Sequence, residues 1–263
     1  MMRRAKVMRV GKRLAQGVGV LLLASGVLLA INAFVLSDDP LGPPPVRVQV
    51  LAPGTFESAH AYAPYYVVPG RRVADPSKLS RAAANAFVTR PEAALGKGAL
   101  AGSPQVVRLE LRATTNERVT LGSVRFHIVS TARPLQGWFT AQPACAFERV
   151  PVARTDLDAR RPSARYVDLD GRTTPALGLR LGRSTPTVLE LQVATERRRA
   201  AWTATLSVSR QGAPPQKVTV DDGGEPFRVT SPRRSRGYAP RFGATGISGF
   251  ARRSAWDGGI EAC

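Results

Sequence analysis

Cysteine and histidine are scarce in this chain, and their scarcity excludes several classes of small domain. Two cysteines, Cys145 and Cys263, and two histidines, His60 and His127, occur among 263 residues. These are too few for a zinc finger, an all-cysteine zinc site or a disulfide-dense mini-scaffold. With 43% hydrophobic residues the chain has the composition of an ordinary folded protein. We expect a folded domain without a cofactor.

Common nucleophile motifs are also missing. The chain contains neither G-x-S-x-G nor S-x-x-K, and only two histidines could serve as a base. Cys145 has no evident basic helper nearby in the sequence, so we expect it in a disulfide and not as a nucleophile. These absences favour a protein that is not an enzyme.

Acidic residues and lysine are few in comparison with arginine. Lys plus Arg number 38 against 19 Asp plus Glu, a net charge of +19, and only 5 of the 38 are Lys. An arginine excess of this kind is typical of a GC-rich genome. No basic helix, RNP-like aromatic pair or helix-turn-helix spacing accompanies it, so we expect solvated basic faces and no nucleic-acid partner.

The strongest signal is an uncharged run near the N-terminus. Residues 1–13 carry six Lys or Arg and no acid, and residues 14–36 are 23 residues without a charge. As a helix such a run reaches about 35 Å, enough for a bilayer core of about 30 Å. We predict a cytoplasmic stub followed by a transmembrane signal anchor whose partner is lipid.

The charge flanking this run also predicts the orientation. By the positive-inside rule the N-terminus stays in the cytoplasm and the C-terminal domain is extracellular. A charged segment before an apolar run also describes a cleaved signal peptide, which stays open as the alternative. Residues 37–45 contain four prolines and predict a stiff linker.

Residues 46–104 predict short membrane-proximal elements. Alternating apolar positions predict strands at 46–50 and 61–68. Asp75 and Pro76 are typical of a helix start, and the apolar residues from Leu79 to Phe87 fall on one helical face, which predicts a short amphipathic helix.

From residue 105 to 231 the apolar period is two. In one segment Val107, Leu109 and Leu111 alternate with charged residues, and Trp202 begins a similar pattern in a late segment. Several half-exposed strands separated by turns predict a mainly β fold, an antiparallel two-sheet immunoglobulin-like sandwich.

The basic tail, residues 232–263, carries scattered aromatic residues, so we expect part of it to dock on the sandwich. In an oxidising compartment Cys145 and Cys263 would be joined, closing a loop of about 120 residues and stabilising the fold by roughly 4–5 kcal/mol in the chain-entropy model. Two free thiols are the alternative.

Several segments carry a resemblance to a known family. They are VRLEL at 107–111, VTLGSV at 119–124, RPLQG at 133–137, DLD at 168–170, WTATL at 202–206 and VDDGGEPFRVT at 220–230. The stretch 105–231 resembles uncharacterised single-pass membrane-anchored proteins of high-GC Gram-positive bacteria with an exported immunoglobulin-like β domain. The resemblance implies location and architecture, and it carries neither an activity nor functional residues.

Two arginine-rich segments are the candidate binding residues. Arg197, Arg198 and Arg199 lie between two predicted strands, at an expected hairpin tip, and Arg233, Arg234 and Arg236 begin the tail. Outside the cell they could contact anionic envelope polymers, lipid headgroups or an acidic protein, although adjacent charges on a loop are commonly only solvated. The leading hypothesis is a tethered, non-enzymatic interaction module.

Paired carboxylates support an alternative. Asp168 and Asp170, like Asp156 and Asp158, are two residues apart, which places their side chains on one face of a strand. Such pairs can perform hydrolysis or hold calcium, and they also form turns or pair with arginine. A secreted or tethered hydrolase that uses Asp168 and Asp170 is therefore the second hypothesis.

Overall fold

The computed structural model describes residues 42–51, 66–70, 76–83, 98–140, 150–243 and 246–253. The anchor predicted at 14–36 and the predicted Cys145–Cys263 bridge lie outside these ranges. No helix within them is long and apolar enough to span a bilayer. The described strands, in chain order, are β1 (Val46–Leu51), β2 (Tyr66–Pro69), β3 (Leu100–Gly102), β4 (Gln105–Ala113), β5 (Val119–Ala132), β6 (Gly137–Thr140), β7 (Val152–Asp156), β8 (Arg165–Val167), β9 (Thr173–Thr174), β10 (Leu179–Leu181), β11 (Thr187–Ala194), β12 (Arg199–Arg210), β13 (Gln216–Val220), β14 (Phe227–Thr230), β15 (Arg236–Gly243) and β16 (Gly246–Arg253).

The described strands form two sheets. The six-stranded sheet has the order β1-β4-β11-β7-β8-β9, and the ten-stranded sheet has the order β10-β5-β12-β14-β3-β2-β6-β15-β16, with β13 also paired to β12. The prediction of a mainly β, two-sheet fold is confirmed. The prediction of antiparallel sheets is wrong for three pairings, since β11 with β7, β14 with β3 and β15 with β6 run parallel. Local alternation reports which face of a strand is buried and carries no information on the direction of its neighbour.

Apolar residues at every second position explain why segments such as β12 form strands with one buried face. Along β12, Trp202, Ala204, Leu206 and Val208 are fully buried while the residues between them are half-buried. One hydrophobic core cluster contains these side chains together with those of the six-stranded sheet, such as Leu109. Each sheet therefore covers the apolar face of the other.

Trp202 is the largest fully buried side chain among the residues that the structure describes. Its ring lies 4.7 Å from that of Phe227 and 5.8 Å from that of Phe126, measured between centroids. Its indole Nε1 donates a hydrogen bond of 2.8 Å to Oε1 of Gln105, at the start of β4 in the other sheet. The side chain thus fills the core and also satisfies its polar group across the two sheets.

A hydroxyl group also joins the two sheets. Tyr166 in β8 lies in the core, and its hydroxyl accepts a hydrogen bond of 3.0 Å from the Val124 amide in β5. The same hydroxyl lies 3.4 Å from the Val124 carbonyl and can donate to it. Because β10 pairs only with residues 119–121 of β5, the tyrosine supplies the hydrogen bond that a neighbouring strand supplies elsewhere.

Strand register defines two opposite ends of the β domain. Val46 pairs with Ala113 at one end of β4, whereas Gln105, at the other end of β4, pairs with Val193. The chain enters at the first of these ends, where the Pro45 carbonyl accepts a 2.9 Å hydrogen bond from the Thr114 amide. We call this the entry end, formed by residues 42–46, 113–119 and 210–216.

Helix is nearly absent from the described residues. Pro76–Lys78 forms one 3-10 turn, which agrees with the proline expected at the first helical position. Residues 81–83 are helical, and the Ser80 hydroxyl accepts a 3.3 Å hydrogen bond from the Ala83 amide. Of the amphipathic helix predicted over 79–87, Leu79 and Ser80 are not helical, and residues 84–87 lie outside the described residues.

β2 and β3 lie in the same ten-stranded sheet as the two strands of the tail, β15 and β16. β2 pairs with β6, and β6 pairs with β15, so residues near both ends of the chain extend one sheet. The Trp138 and Tyr238 rings pack edge to face with centroids 6.3 Å apart. Gly137 lies so close to β2 that a Cβ there would overlap the carbonyl oxygen of Val68.

This close approach predicts that Gly137→Ala destabilises the protein by about 1–3 kcal/mol, because either β2 or β6 must shift. Gly122→Ala is the matched control, since its Cβ would meet only the Ser207 carbonyl oxygen, at an ordinary 3.7 Å. We expect the control to change the unfolding free energy by less than about 1 kcal/mol. Urea unfolding followed by tryptophan fluorescence measures both. Equal stability of the two variants would contradict the β2–β6 contact.

Candidate anion-binding site

The first arginine segment lies on a connection between the two sheets. Arg197 and Arg198 follow β11 of the six-stranded sheet, and Arg199 is the first residue of β12 in the ten-stranded sheet. The hairpin expected here is therefore wrong, because a hairpin would join neighbouring strands of one sheet. Backbone groups of such a connection lose their ladder partners and must find others.

The carboxylate of Asp158 supplies those partners. Its Oδ2 accepts hydrogen bonds from the amides of Glu196 and Arg197. Its Oδ1 accepts from Nε of Arg198 at 2.8 Å and from the hydroxyl of Thr195 at 3.1 Å. Four successive residues of the connection thus converge on one side chain of the turn after β7.

These contacts also determine the ionisation of Asp158. Its side chain is only 8% exposed, and burial alone would raise its pKa. Hydrogen bonds from the Glu196 amide and the Arg198 guanidinium outweigh that effect, with smaller help from Thr195 and the Arg197 amide, so its pKa lies below the ordinary value of 3.8. Asp158 is therefore ionised at neutral pH.

The second arginine segment packs against the first. The Ser231 amide donates a 3.0 Å hydrogen bond to the Arg198 carbonyl, and the Ser231 hydroxyl donates to the Glu196 carbonyl at 2.7 Å. Arg233 makes an ion pair of 2.6 Å with Glu196. Both partners of that pair are mostly exposed, so it orients the loops while adding less than about 1 kcal/mol to stability.

A third segment, between β5 and β6, is held to the second. The Leu135 amide donates a 3.0 Å hydrogen bond to the hydroxyl of Thr230, and the Ser235 hydroxyl donates to the Leu135 carbonyl at 3.1 Å. Arg133 lies two residues before Leu135 and is exposed. Arg160 and Arg161 are exposed in the same turn as Asp158.

Together these four segments, residues 133–136, 156–161, 195–199 and 231–236, form what we call the arginine end. It carries nine arginines against three acids, Asp156, Asp158 and Glu196, a net charge of nine minus three, or +6. The nine are Arg133, Arg160, Arg161, Arg197, Arg198, Arg199, Arg233, Arg234 and Arg236.

The six arginines predicted from the sequence are placed differently within this end. Arg198 and Arg233 are paired with Asp158 and Glu196, and Arg199 is half-buried in β12. The side chains that stay exposed, without an ion pair to any residue that the structure describes, are those of Arg197, Arg234 and Arg236.

The other candidate, Asp168 with Asp170, lies beside a cavity of about 300 Å³. Oδ1 of Asp168 accepts hydrogen bonds from the amides of Asp170 (3.0 Å) and Arg172 (2.8 Å), so this carboxylate closes its own turn. Within the described ranges, no group of three His, Cys, Asp or Glu side chains could hold a metal ion. The cavity is lined by Pro151, Val167, Asp168, Leu169, Asp170, Thr174, Ala176, Leu177 and Leu179.

Sequence reasoning missed the part that Asp158 plays and the contribution of Arg133, Arg160 and Arg161. The spacing of Asp156 and Asp158 indicated an acid that forms a turn or pairs with arginine, which is what Asp158 does. Its partners lie about 40 residues later in the chain. No local pattern connects them.

The depressed pKa predicts how stability depends on pH. A carboxylate with a lower pKa in the folded state stabilises the protein above the unfolded-state value, and this stabilisation is lost as the pH falls through the folded-state pKa. We expect Asp158→Asn to cost about 1–3 kcal/mol at neutral pH. The difference from the wild type should shrink below about pH 3.8.

Unfolding in urea at a series of pH values measures this difference. Asp170→Asn is the control, since its side chain is exposed and we expect a change within about 0.5 kcal/mol. A cost for Asp158→Asn that stays constant down to pH 3 would show that the charge of Asp158 does not carry the effect.

The chain matches no protein-family model, no curated protein and no solved structure. What it does is therefore inferred from the contacts, burial and charge of its own residues.

Proposed function

We propose that this chain is a non-enzymatic interaction module of the cell envelope, tethered by residues 14–36, whose arginine end binds an anionic partner outside the cell. One observation carries the proposal. Two arginine segments that are distant in sequence meet at one end of the β domain, through Ser231 and the Arg233–Glu196 ion pair. A surface of this kind attracts anions over several ångströms.

The anchoring part of the proposal is supported by the sequence. Six basic residues precede the 23 uncharged ones, an asymmetry that favours a cytoplasmic N-terminus and an extracellular C-terminal domain at the cell membrane.

The domain is proposed to be immunoglobulin-like in the broad sense. Two sheets that share one core, with the fully buried Trp202 in a late strand, support this reading. The three parallel pairings and the ten-stranded sheet depart from the usual arrangement of such domains. The shared core and the contacts between the two sheets are the features that support an immunoglobulin-like domain.

Binding through the arginine end is favoured by how firmly its loops are held. Asp158 organises the β11–β12 connection, and Ser231 and Ser235 attach the second segment to its neighbours. Exposed arginines on ordered backbone lose less entropy on binding than the same residues on a mobile loop. The guanidinium group also matches oxygen anions in a two-pronged geometry.

A hydrolase that uses Asp168 and Asp170 has one observation in its favour, the cavity of about 300 Å³ beside them. Against it, Asp168 is engaged by two amides of its own turn. Asp168→Asn and Asp170→Asn variants should therefore leave anion binding unchanged. Loss of a hydrolytic activity in these variants would favour the enzyme instead.

We expect the full-length protein, held in nanodiscs of neutral phosphatidylcholine that cover its apolar segment, to be captured by purified bacterial envelopes at about 50 mM salt. It should be released at about 500 mM, because the Debye length falls severalfold over that range. Arg197→Gln combined with Arg234→Gln should reduce capture at low salt. Cosedimentation measures it. Capture that is unaffected by salt and by the variant would refute an ionic contact through this end.

The compartment is tested separately. A C-terminal alkaline phosphatase fusion, which is active only outside the cytoplasm, should be active and should remain with the membrane fraction. Deleting residues 14–36 should abolish both properties. An inactive fusion in the cytosol would overturn the anchored orientation.

A further inference from the structure

The chain enters the β domain at the end opposite the arginine end. Gly42 and Pro45 are bonded at the entry end, to the Gln216 side chain and the Thr114 amide. From there β4 crosses the domain to Gln105, which pairs beside the end of β11 that leads into the arginine segment. The nine residues of β4 separate the two ends by about 27 Å.

The distribution of the arginines indicates a repeating ligand. They come from four separate segments, and the described cavity beside Asp168 includes none of them. Small ligands are usually enclosed in a concave pocket, whereas charges spread over an exposed surface suit a chain of repeated anions. A linear polyanion can contact several exposed guanidinium groups at once.

Residue types at this end indicate the chemistry of that polymer. All nine basic residues of the four segments are arginine, as 33 of the 38 in the whole chain are, and the guanidinium fork is suited to phosphate oxygens. The four segments contain no aromatic residue, so the platforms on which unpaired bases stack are missing from them. A phosphate polymer that lacks bases fits both observations.

We propose that the arginine end binds an extended phosphodiester polymer of the envelope, without bases. This inference rests on the proposed function and names its partner. Arg197, Arg234 and Arg236 make the external contacts, while Asp158 and Glu196 hold the loops that carry them.

The test uses the full-length chain in nanodiscs of neutral phosphatidylcholine and a fluorescently labelled poly(glycerol phosphate). Anisotropy titrations compare wild type with the triple variant Arg197→Gln, Arg234→Gln, Arg236→Gln. The matched control removes the same charge at or beside the entry end and is Arg118→Gln, Arg180→Gln, Lys217→Gln, all exposed residues. Unchanged thermal unfolding of both variants shows that they fold.

We expect the triple variant to bind the polymer at least about tenfold more weakly, and its plot of log K against log salt to be shallower by about 2, as for three lost phosphate contacts. The control should retain most of the affinity. Equal losses in the two variants would show that only net charge matters and would overturn the proposal.

Two further ligands separate the inference from the proposed function. Arginine-dependent binding to phosphatidylglycerol vesicles without binding to the polymer would overturn the inference and leave an anion-binding module standing. Tighter binding of single-stranded DNA than of poly(glycerol phosphate) would assign the end to nucleic acid and overturn it as well. Binding of no anion by the wild type would overturn both proposals.

Discussion

A single buried carboxylate, Asp158, holds together the end of the β domain on which the proposed function depends. A connection that passes from one sheet to the other leaves its amides without strand partners, and Asp158 accepts hydrogen bonds from two of them and from two side chains. The negative charge also offsets Arg198 within a strongly basic surface. Without Asp158, the amides of Glu196 and Arg197 would lose their hydrogen-bond acceptor. The positive charges of the neighbouring arginines would then repel one another without a compensating negative charge.

The core and the arginine end satisfy their polar groups in different ways. Between the sheets the core is filled by aliphatic and aromatic side chains around Trp202, and the indole of Trp202 bonds to Gln105. At the arginine end, buried residues with hydroxyl groups form hydrogen bonds with the charged loops. The Thr195 amide donates to Ser103, and Thr230 and Ser231 bind the neighbouring loops. Hydroxyls suit this position because each can donate and accept.

Much of the β architecture was predictable from local patterns. The alternation of Trp202, Ala204, Leu206 and Val208 identified β12 and its buried face, because side chains of a strand point alternately to opposite sides. The same alternation could not identify strand neighbours. β11 and β12 both read as half-buried strands separated by a short loop, and a hairpin was the natural expectation, yet they lie in different sheets.

The amino-acid pattern alone establishes an uncharged run long enough for a bilayer, a series of half-buried strands and an excess of arginine. The folded chain adds that the two arginine segments lie together, that Asp158 is the acid that holds them, and that they lie opposite the entry end. The difference arises from the sequence separation of the residues in contact. Local patterns record what each residue needs from its surroundings, whereas contacts between residues 158 and 198, or 196 and 233, arise only when the sheets have packed and their ends are brought into register.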